Sequence, residues 1–259
     1  MEKIGLFLSD DELSKYAFNK LSGKFKVFPF SFSSIPSIPS KTVKIEKFED
    51  IVDFFIKNNI RKIVLIGKVP QSIVFKKMDN SWERLLGGME RLCGEEILKK
   101  FADYLKKIGI EILSLDKVFK EDIAEEKIYT ERKPTEREME DIRIGFEIGM
   151  FLTKYRIGQS LSIKRGVIIA VEGIEGTDKM IERSGKYCKD FVVVKVAGED
   201  KDKRFDLPVI GPETIKNIWK ANGRVIAVEA EKSIIFEKEL TVSLCNKYGI
   251  SLVGKKFKK

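Results

Sequence analysis

Histidine is absent from all 259 residues of this chain. That absence removes Ser-His-Asp and Cys-His nucleophile systems and every histidine-based metal site. Any catalysis therefore falls to carboxylates, lysine, arginine, tyrosine, hydroxyls or a metal ion. Cysteine is scarce as well. Cys93, Cys188 and Cys245 stand far apart with no CxxC pair, which argues against a disulfide framework or a structural zinc site. No apolar run approaches the eighteen or so residues that span a bilayer. The opening "MEKIGLFLSDDE" lacks the length and cleavage site of a signal peptide, so the expected location is the cytoplasm. Glutamine occurs only at Gln71 and Gln159, as in thermophile-like compositions.

Charge and apolar residues are plentiful. Hydrophobic residues make up 43% and charged residues 34%, the balance of a folded globular chain. The net charge is +9. Residues 1–130 carry 23 basic and 20 acidic side chains (+3), and residues 131–259 carry 26 and 20 (+6). The excess suits an anionic partner such as a phosphate ligand, a nucleic acid or an anionic membrane, or simply a solvated surface rich in Lys and Glu.

Strand-like and helix-like patterns alternate throughout, which predicts an α/β fold with parallel pairing. In the first half "KIGLFLS", "KVFPFSF", "KIVLIG" and "IEILSLD" read as strands. Pro29 marks the second as an edge. "GEEILKKFADYLKKIG" reads as an amphipathic helix ended by Gly109. The charged stretch 120–134 sets the expected boundary between a Rossmann-like domain (1–130) and a second α/β domain (131–259). A long helix begins near Pro134 or Thr135. "SLSIKRGVIIAVE" reads as two strands about a Lys-Arg-Gly turn, and "DKMIERS" as a short helix closed by Gly185.

Two segments share one layout: a strand, a polar glycine-bearing loop, then a helix N-terminus. They are "VIIAVEGIEGTDKMIER" (167–183) and "RFDLPVIGPETIKNI" (204–218). Helix N-termini and the carboxyl ends of parallel strands are where phosphates gather. In the first, Gly173 and Gly176 allow close approach and Thr177 can cap the helix or meet a phosphate. Glu172, Glu175 and Asp178 are oxygen donors suited to Mg²⁺. The same residues also describe an ordinary capped turn. In the second, Asp206 follows Arg204 by two residues. Extended backbone would put the guanidinium beside the carboxylate, either as a site or as a surface ion pair. Lys195, alone in the apolar run "VVVKVA", needs an anion if buried. Glu172 and Glu229 each close an "IAVE" strand, where a solvated end is the ordinary reading.

The order and spacing of "RIGQS", "VIIAVEGIEGTDKMIER", "VVVKVA", "RFDLPVIGPETI" and "GISLVGKK" resemble one family, the bacterial UDP-2,3-diacylglucosamine pyrophosphatases of the LpxI type. The resemblance is strongest from Ile157 to Gly254. It implies two α/β domains with a lipid substrate between them, in a homodimer. The reaction it implies is hydrolysis of UDP-2,3-diacylglucosamine to UMP and 2,3-diacylglucosamine 1-phosphate (lipid X) in lipid A synthesis. It further implies a divalent cofactor, Mg²⁺ or else Mn²⁺ or Co²⁺, and peripheral contact with the cytoplasmic face of the inner membrane. It matches Asp206 to the family's catalytic aspartate. Asp206, Asp178, Glu172 and Glu175 become metal candidates. Gln159, Ser160, Gly176, Thr177, Lys195 and Arg204 become candidates for phosphate and uridine. The chain departs from the family at Arg156, where an acid is usual, and at Gly198-Glu199 and Lys201, upstream of R-x-DLP. Two other readings stand beside this one: a nucleotide- or RNA-binding module without catalysis, and another Mg²⁺-dependent nucleotide-sugar pyrophosphatase. A nucleic-acid partner is not expected, because no basic stripe carries clustered aromatic residues.

Overall fold

The computed structural model describes residues 1–44, 46–67, 80, 82, 85, 87, 94–198 and 202–256. Glu199 and Lys201, two of the departures from the family pattern, lie outside them, as does Cys93. The chain divides into two units, Met1–Val118 and Phe119–Lys259.

The first unit alternates β1 (Lys3–Phe7), α1 (Glu12–Ser22), β2 (Lys26–Ser31), β3 (Lys41–Thr42), α2 (Phe48–Lys57), β4 (Lys62–Leu65), α3 (Gly94–Lys107), β5 (Glu111–Ile112) and α4 (Leu115–Val118). Its strands form a five-stranded sheet in the order β3-β2-β1-β4-β5, parallel at every pairing. This is the Rossmann-like alternation the sequence predicts. Pro29 does not make β2 an edge strand. β3 pairs only with Phe30 and Ser31, so the proline lies just before the ladder that would need its missing N–H. α2 buries Phe48, Ile51, Val52 and Phe55, the i, i+3, i+4, i+7 stripe of an amphipathic helix.

The second unit holds β6 (Lys127–Ile128), α5 (Glu136–Lys154), β7 (Ser160–Lys164), β8 (Val167–Val171), α6 (Thr177–Tyr187), β9 (Val192–Lys195), β10 (Val209–Ile210), α7 (Pro212–Lys220), β11 (Val225–Glu229), β12 (Ile234–Ile235), α8 (Lys238–Tyr248) and β13 (Ser251–Lys255). Six strands form a mixed sheet ordered β6-β13-β11-β9-β7-β8, and β10 pairs with β12 in a separate two-stranded sheet. The charged stretch after residue 119 packs with this unit. Ile123 bridges Ile234, and β6 pairs antiparallel with β13.

Alternation along β9 sorts its side chains. Val192, Val194 and Val196 pack with Ile142, Phe146 and Leu152 of and around α5. Val193 faces the other way, into a core with Met180, Ile181, Ile215 and Ile218 of α6 and α7. The strand's period therefore puts Lys195 on the α6–α7 side. α5 approaches its face of the sheet closely: a Cβ at Gly145 would stand 2.5 Å from Val194 Cγ2. The helix opens on a capping box. Thr135 Oγ1 accepts from the Glu138 N–H (3.2 Å), and Glu138 accepts from the Thr135 N–H (2.8 Å). The β7–β8 hairpin turns at Arg165 and Gly166, both left-handed, and their N–H groups donate to buried Asp141 of α5. Gly185 does not close α6, which runs on to Tyr187. Its missing side chain instead admits the backbone of Ala221, whose oxygen would lie 2.6 Å from a Cβ there.

Candidate active site

Pairing directions bring four strand ends to one edge of the six-stranded sheet. β9 and β11 are parallel. β7 is antiparallel to β9, with Ser160 opposite Lys195, and β8 is antiparallel to β7. The start of β7 therefore meets the carboxyl ends of β8, β9 and β11. Glu172, Ser160, Lys195 and Glu229 stand in that order along the edge, and all four are buried.

Thr177 ties the first three together. It does not cap α6. Gly176 is the N-cap, at φ 83°, and Thr177 is the first helical residue. Its hydroxyl donates to Glu172 Oε1 (2.9 Å). It accepts from Lys195 Nζ (3.0 Å) and lies 3.2 Å from Ser160 Oγ. Glu172 Oε2 accepts from the Gln159 N–H (3.2 Å). Gly158 makes this crossing feasible: a Cβ on it would lie 2.2 Å from the Glu172 carbonyl oxygen. The Gln159 side-chain oxygen is buried with no hydrogen-bond partner among the described residues. No atom of the described residues stands within 4 Å of where a Cβ would sit on Gly176.

Lys195 also joins the two glycine-bearing loops. Besides Thr177 it donates to the carbonyl of Val209 (3.1 Å) at the start of β10, three residues after Asp206. A cation 7% exposed in an apolar strand thus sits where the α6 N-terminus and the Asp206 segment meet. Asp206 is half-buried, and its N–H donates to the Asp202 carbonyl (3.2 Å).

Other expectations are corrected. Arg204 does not extend alongside Asp206. Residues 203–205 form a turn, and the guanidinium chelates Asp202 instead (Nη2–Oδ2 2.6 Å, Nε–Oδ1 2.9 Å), with its carbon 5.0 Å from the centroid of the Phe205 ring. Glu175 pairs with Arg183 (2.5 Å) and accepts from the Gly173 N–H (3.0 Å). Its carboxyl is held below the usual range, first by its own backbone N–H and then by Arg183. Asp178 is exposed and accepts from Asn217 Nδ2 (3.0 Å). Asp206, Asp178, Glu172 and Glu175 are therefore not gathered. Among the described residues no three acidic or cysteine side chains converge on a metal position. Glu229 is not a solvated strand end: it is 3% exposed and accepts from the Ala197 N–H (2.8 Å). The second "IAVE" was the available signal, since the first one leads into the motif loop.

A buried ammonium, two hydroxyls and a carboxylate meet at strand ends beside a glycine-capped helix N-terminus, the kind of place in an α/β fold that favours anions. The particular family follows from comparison. The LpxI N-terminal domain matches residues 27–121 and the LpxI C-terminal domain matches residues 125–253, so this chain belongs to the LpxI family. A relative from Caulobacter vibrioides, named UDP-2,3-diacylglucosamine pyrophosphatase LpxI, is 25% identical over 169 residues. The match covers 62% of this chain and 60% of the relative.

Proposed function

We propose that this protein hydrolyses the pyrophosphate bond of UDP-2,3-diacylglucosamine, releasing UMP and 2,3-diacylglucosamine 1-phosphate in lipid A synthesis. The observation that carries the reading is Lys195, a buried cation joining the Thr177 helix start to the Asp206 segment. Family membership and the name of the Caulobacter relative support the substrate.

Pyrophosphate hydrolysis depends chiefly on positioning and charge stabilisation. In this reading the diphosphate docks at the α6 N-terminus, against the Gly176–Thr177 backbone and the Lys195 ammonium. Glu172 and Ser160 hold the Thr177 hydroxyl, and through it the lysine, in place. The buried Gln159 oxygen takes a hydrogen from the uridine. Asp206 orients the attacking water and takes its proton as the P–O–P bond breaks. The described acids do not fit a four-carboxylate cage. Asp206 does fit the mode usual for Mg²⁺, in which one or two carboxylates and the substrate phosphates share the ion. Bound that way, Mg²⁺, Mn²⁺ or Co²⁺ would neutralise charge on the diphosphate.

No helix among the described residues is long and apolar enough to cross a membrane. Peripheral contact with the inner membrane is assigned here to the end of α5. Phe151 and Tyr155 are 58% and 59% exposed with ring centroids 4.6 Å apart, and Lys154, Arg156 and Ile157 are exposed beside them. Aromatic residues interleaved with cations suit an anionic lipid surface.

The test is turnover of UDP-2,3-diacylglucosamine by purified protein, with UMP and the lipid 1-phosphate followed by mass spectrometry, with and without a chelator. Absence of UMP release under all metal conditions would remove the activity. Equal cleavage of a soluble UDP-sugar would remove the lipid assignment.

A further inference from the structure

The two "IAVE" strand ends do the same mechanical job, and only one belongs to the site described above. Glu172 accepts a backbone N–H from the segment entering β7 and uses its other oxygen to hold Thr177. Glu229 accepts the Ala197 N–H from the segment leaving β9 and uses its other oxygen to pair with Lys232 (2.7 Å). The Lys232 ammonium also reaches the Gly198 carbonyl, at 3.5 Å.

Ala197 and Gly198 open the stretch between β9 and β10 that carries Asp206. The far end of that stretch is tied to the same piece of chain. The Ile234 N–H donates to the Pro208 carbonyl (2.8 Å), the Phe236 N–H to the Ile210 carbonyl (3.1 Å), and β12 pairs with β10. Both ends of the Asp206 segment are therefore anchored to residues 229–236. Glu229 is the one buried charge in that anchor, and Lys232 is its counter-ion.

We infer that Glu229, with Lys232, is a positioning residue that sets the placement of Asp206 for the reaction. The inference rests on the reading of Asp206 as the catalytic group. Glu229 is bonded to backbone and to Lys232, so it acts through the segment's two anchored ends. A shift of about 1 Å in a reacting group is enough to cost on the order of 10²-fold in rate.

Three variants test this. Glu229→Gln keeps an acceptor for the Ala197 N–H and gives up the ion pair. Lys232→Met removes the counter-ion. Glu229→Ala removes both contacts. The expected result is a fall in kcat of about tenfold for E229Q and K232M and about 10²-fold for E229A, with KM unchanged. In an Asp206→Ala background, E229Q is expected to add no further loss, because the two residues act as one unit. A kcat unchanged in E229Q and K232M while thermal stability falls would reduce the pair to a structural role and overturn the inference. Losses that multiply in the Asp206→Ala background would do the same. E229Q and K232M keep the test open if E229A does not fold. If the wild-type protein shows no turnover, the proposed activity fails, and amide exchange then decides the inference by itself. Faster exchange at Phe205 and Asp206 in K232M, with α5 unchanged, supports it, and unchanged exchange refutes it.

Discussion

Replacing Lys195 by methionine separates catalysis from folding at the centre of the site. The substitution keeps the length and apolar stem of the side chain and deletes the ammonium. Among the described residues, Thr177 Oγ1 and the Val209 carbonyl each lose a donor. Thr177 still has Glu172 and Ser160. The Val209 carbonyl gives up a charge-assisted bond worth about 1.5–3 kcal/mol. Removing a cation 7% exposed also returns part of its burial cost. The net destabilisation is then about 1–2 kcal/mol, or a Tm lower by about 3–6 °C at this domain size. Turnover is expected to suffer far more. A preorganised charge facing a developing phosphate charge contributes on the order of 10²–10³-fold to kcat. The assay pairs a thermal melt with release of UMP from UDP-2,3-diacylglucosamine. A K195M enzyme that melts early yet keeps kcat/KM within about threefold of wild type would show Lys195 to be a strut between two loops, and the diphosphate would have to bind elsewhere.

Asp206→Ala is expected to lower kcat by at least ~10²-fold while substrate binding, measured by calorimetry, persists; retained turnover removes Asp206 from the mechanism. Gly158→Ala places a Cβ 2.2 Å from the Glu172 carbonyl, so it should displace the Gln159 strand entry, cost more than about 2 kcal/mol in a denaturant melt and cut activity. Glu175 has a depressed pKa, so the stability it lends the 172–176 loop is full above the unfolded value of about 4.3 and is lost as pH falls through the lower folded value. The Gly173 amide shift should therefore titrate on the acid side of pH 4.3 in wild type and stay flat in Glu175→Gln. Replacing Phe151 and Tyr155 together by serine is expected to reduce co-sedimentation with vesicles containing phosphatidylglycerol by about tenfold, while turnover of detergent-dispersed substrate stays unchanged. Equal sedimentation would move the membrane contact elsewhere. Burial pushes the Cys245 thiol up to about 12, so the folded protein should resist iodoacetamide at this residue at pH 8 while partly exposed Cys188 is alkylated.

What the sequence made legible was whatever depends on period and local chemistry. Alternating patterns revealed both α/β units, and the Lys-Arg-Gly turn revealed the β7–β8 hairpin, because those features are set within a few residues. Side-chain alternation alone puts Lys195 on the opposite face from Val194, and a buried lysine demands acceptors wherever they come from. Contacts between distant segments were less accessible. Arg204 was expected beside Asp206 on the assumption of extended backbone. A turn at 203–205 gave it to Asp202, and the i, i+2 geometry no longer applied. Thr177 looked like a cap because its position fits one, but Gly176 takes the cap and frees the hydroxyl to join three strands.

The carboxylates show the difference most sharply. Glu175 and Asp178 flank the same motif as Glu172, yet they stay at the surface with Arg183 and Asn217 as partners. Glu172 is buried because its strand ends beside an antiparallel neighbour whose first N–H groups need an acceptor. Glu229 is buried beside parallel β9, where the Ala197 N–H of the segment leaving that strand needs an acceptor. Spacing within a segment cannot report this, since the N–H being satisfied belongs to another strand. A strand-end carboxylate should therefore be weighed by which neighbouring segment enters or leaves the sheet at that edge. By that measure Glu172 belongs with Thr177 as a holder of the site rather than with Asp206 as a ligand. A Glu172→Gln variant has one acceptor oxygen where the carboxylate uses two, so it loses either the Thr177 or the Gln159 hydrogen bond whichever way its amide turns. The rate should then fall with the orientation of Thr177, and adding more metal should not restore it. Recovery at raised Mg²⁺ would return Glu172 to the metal.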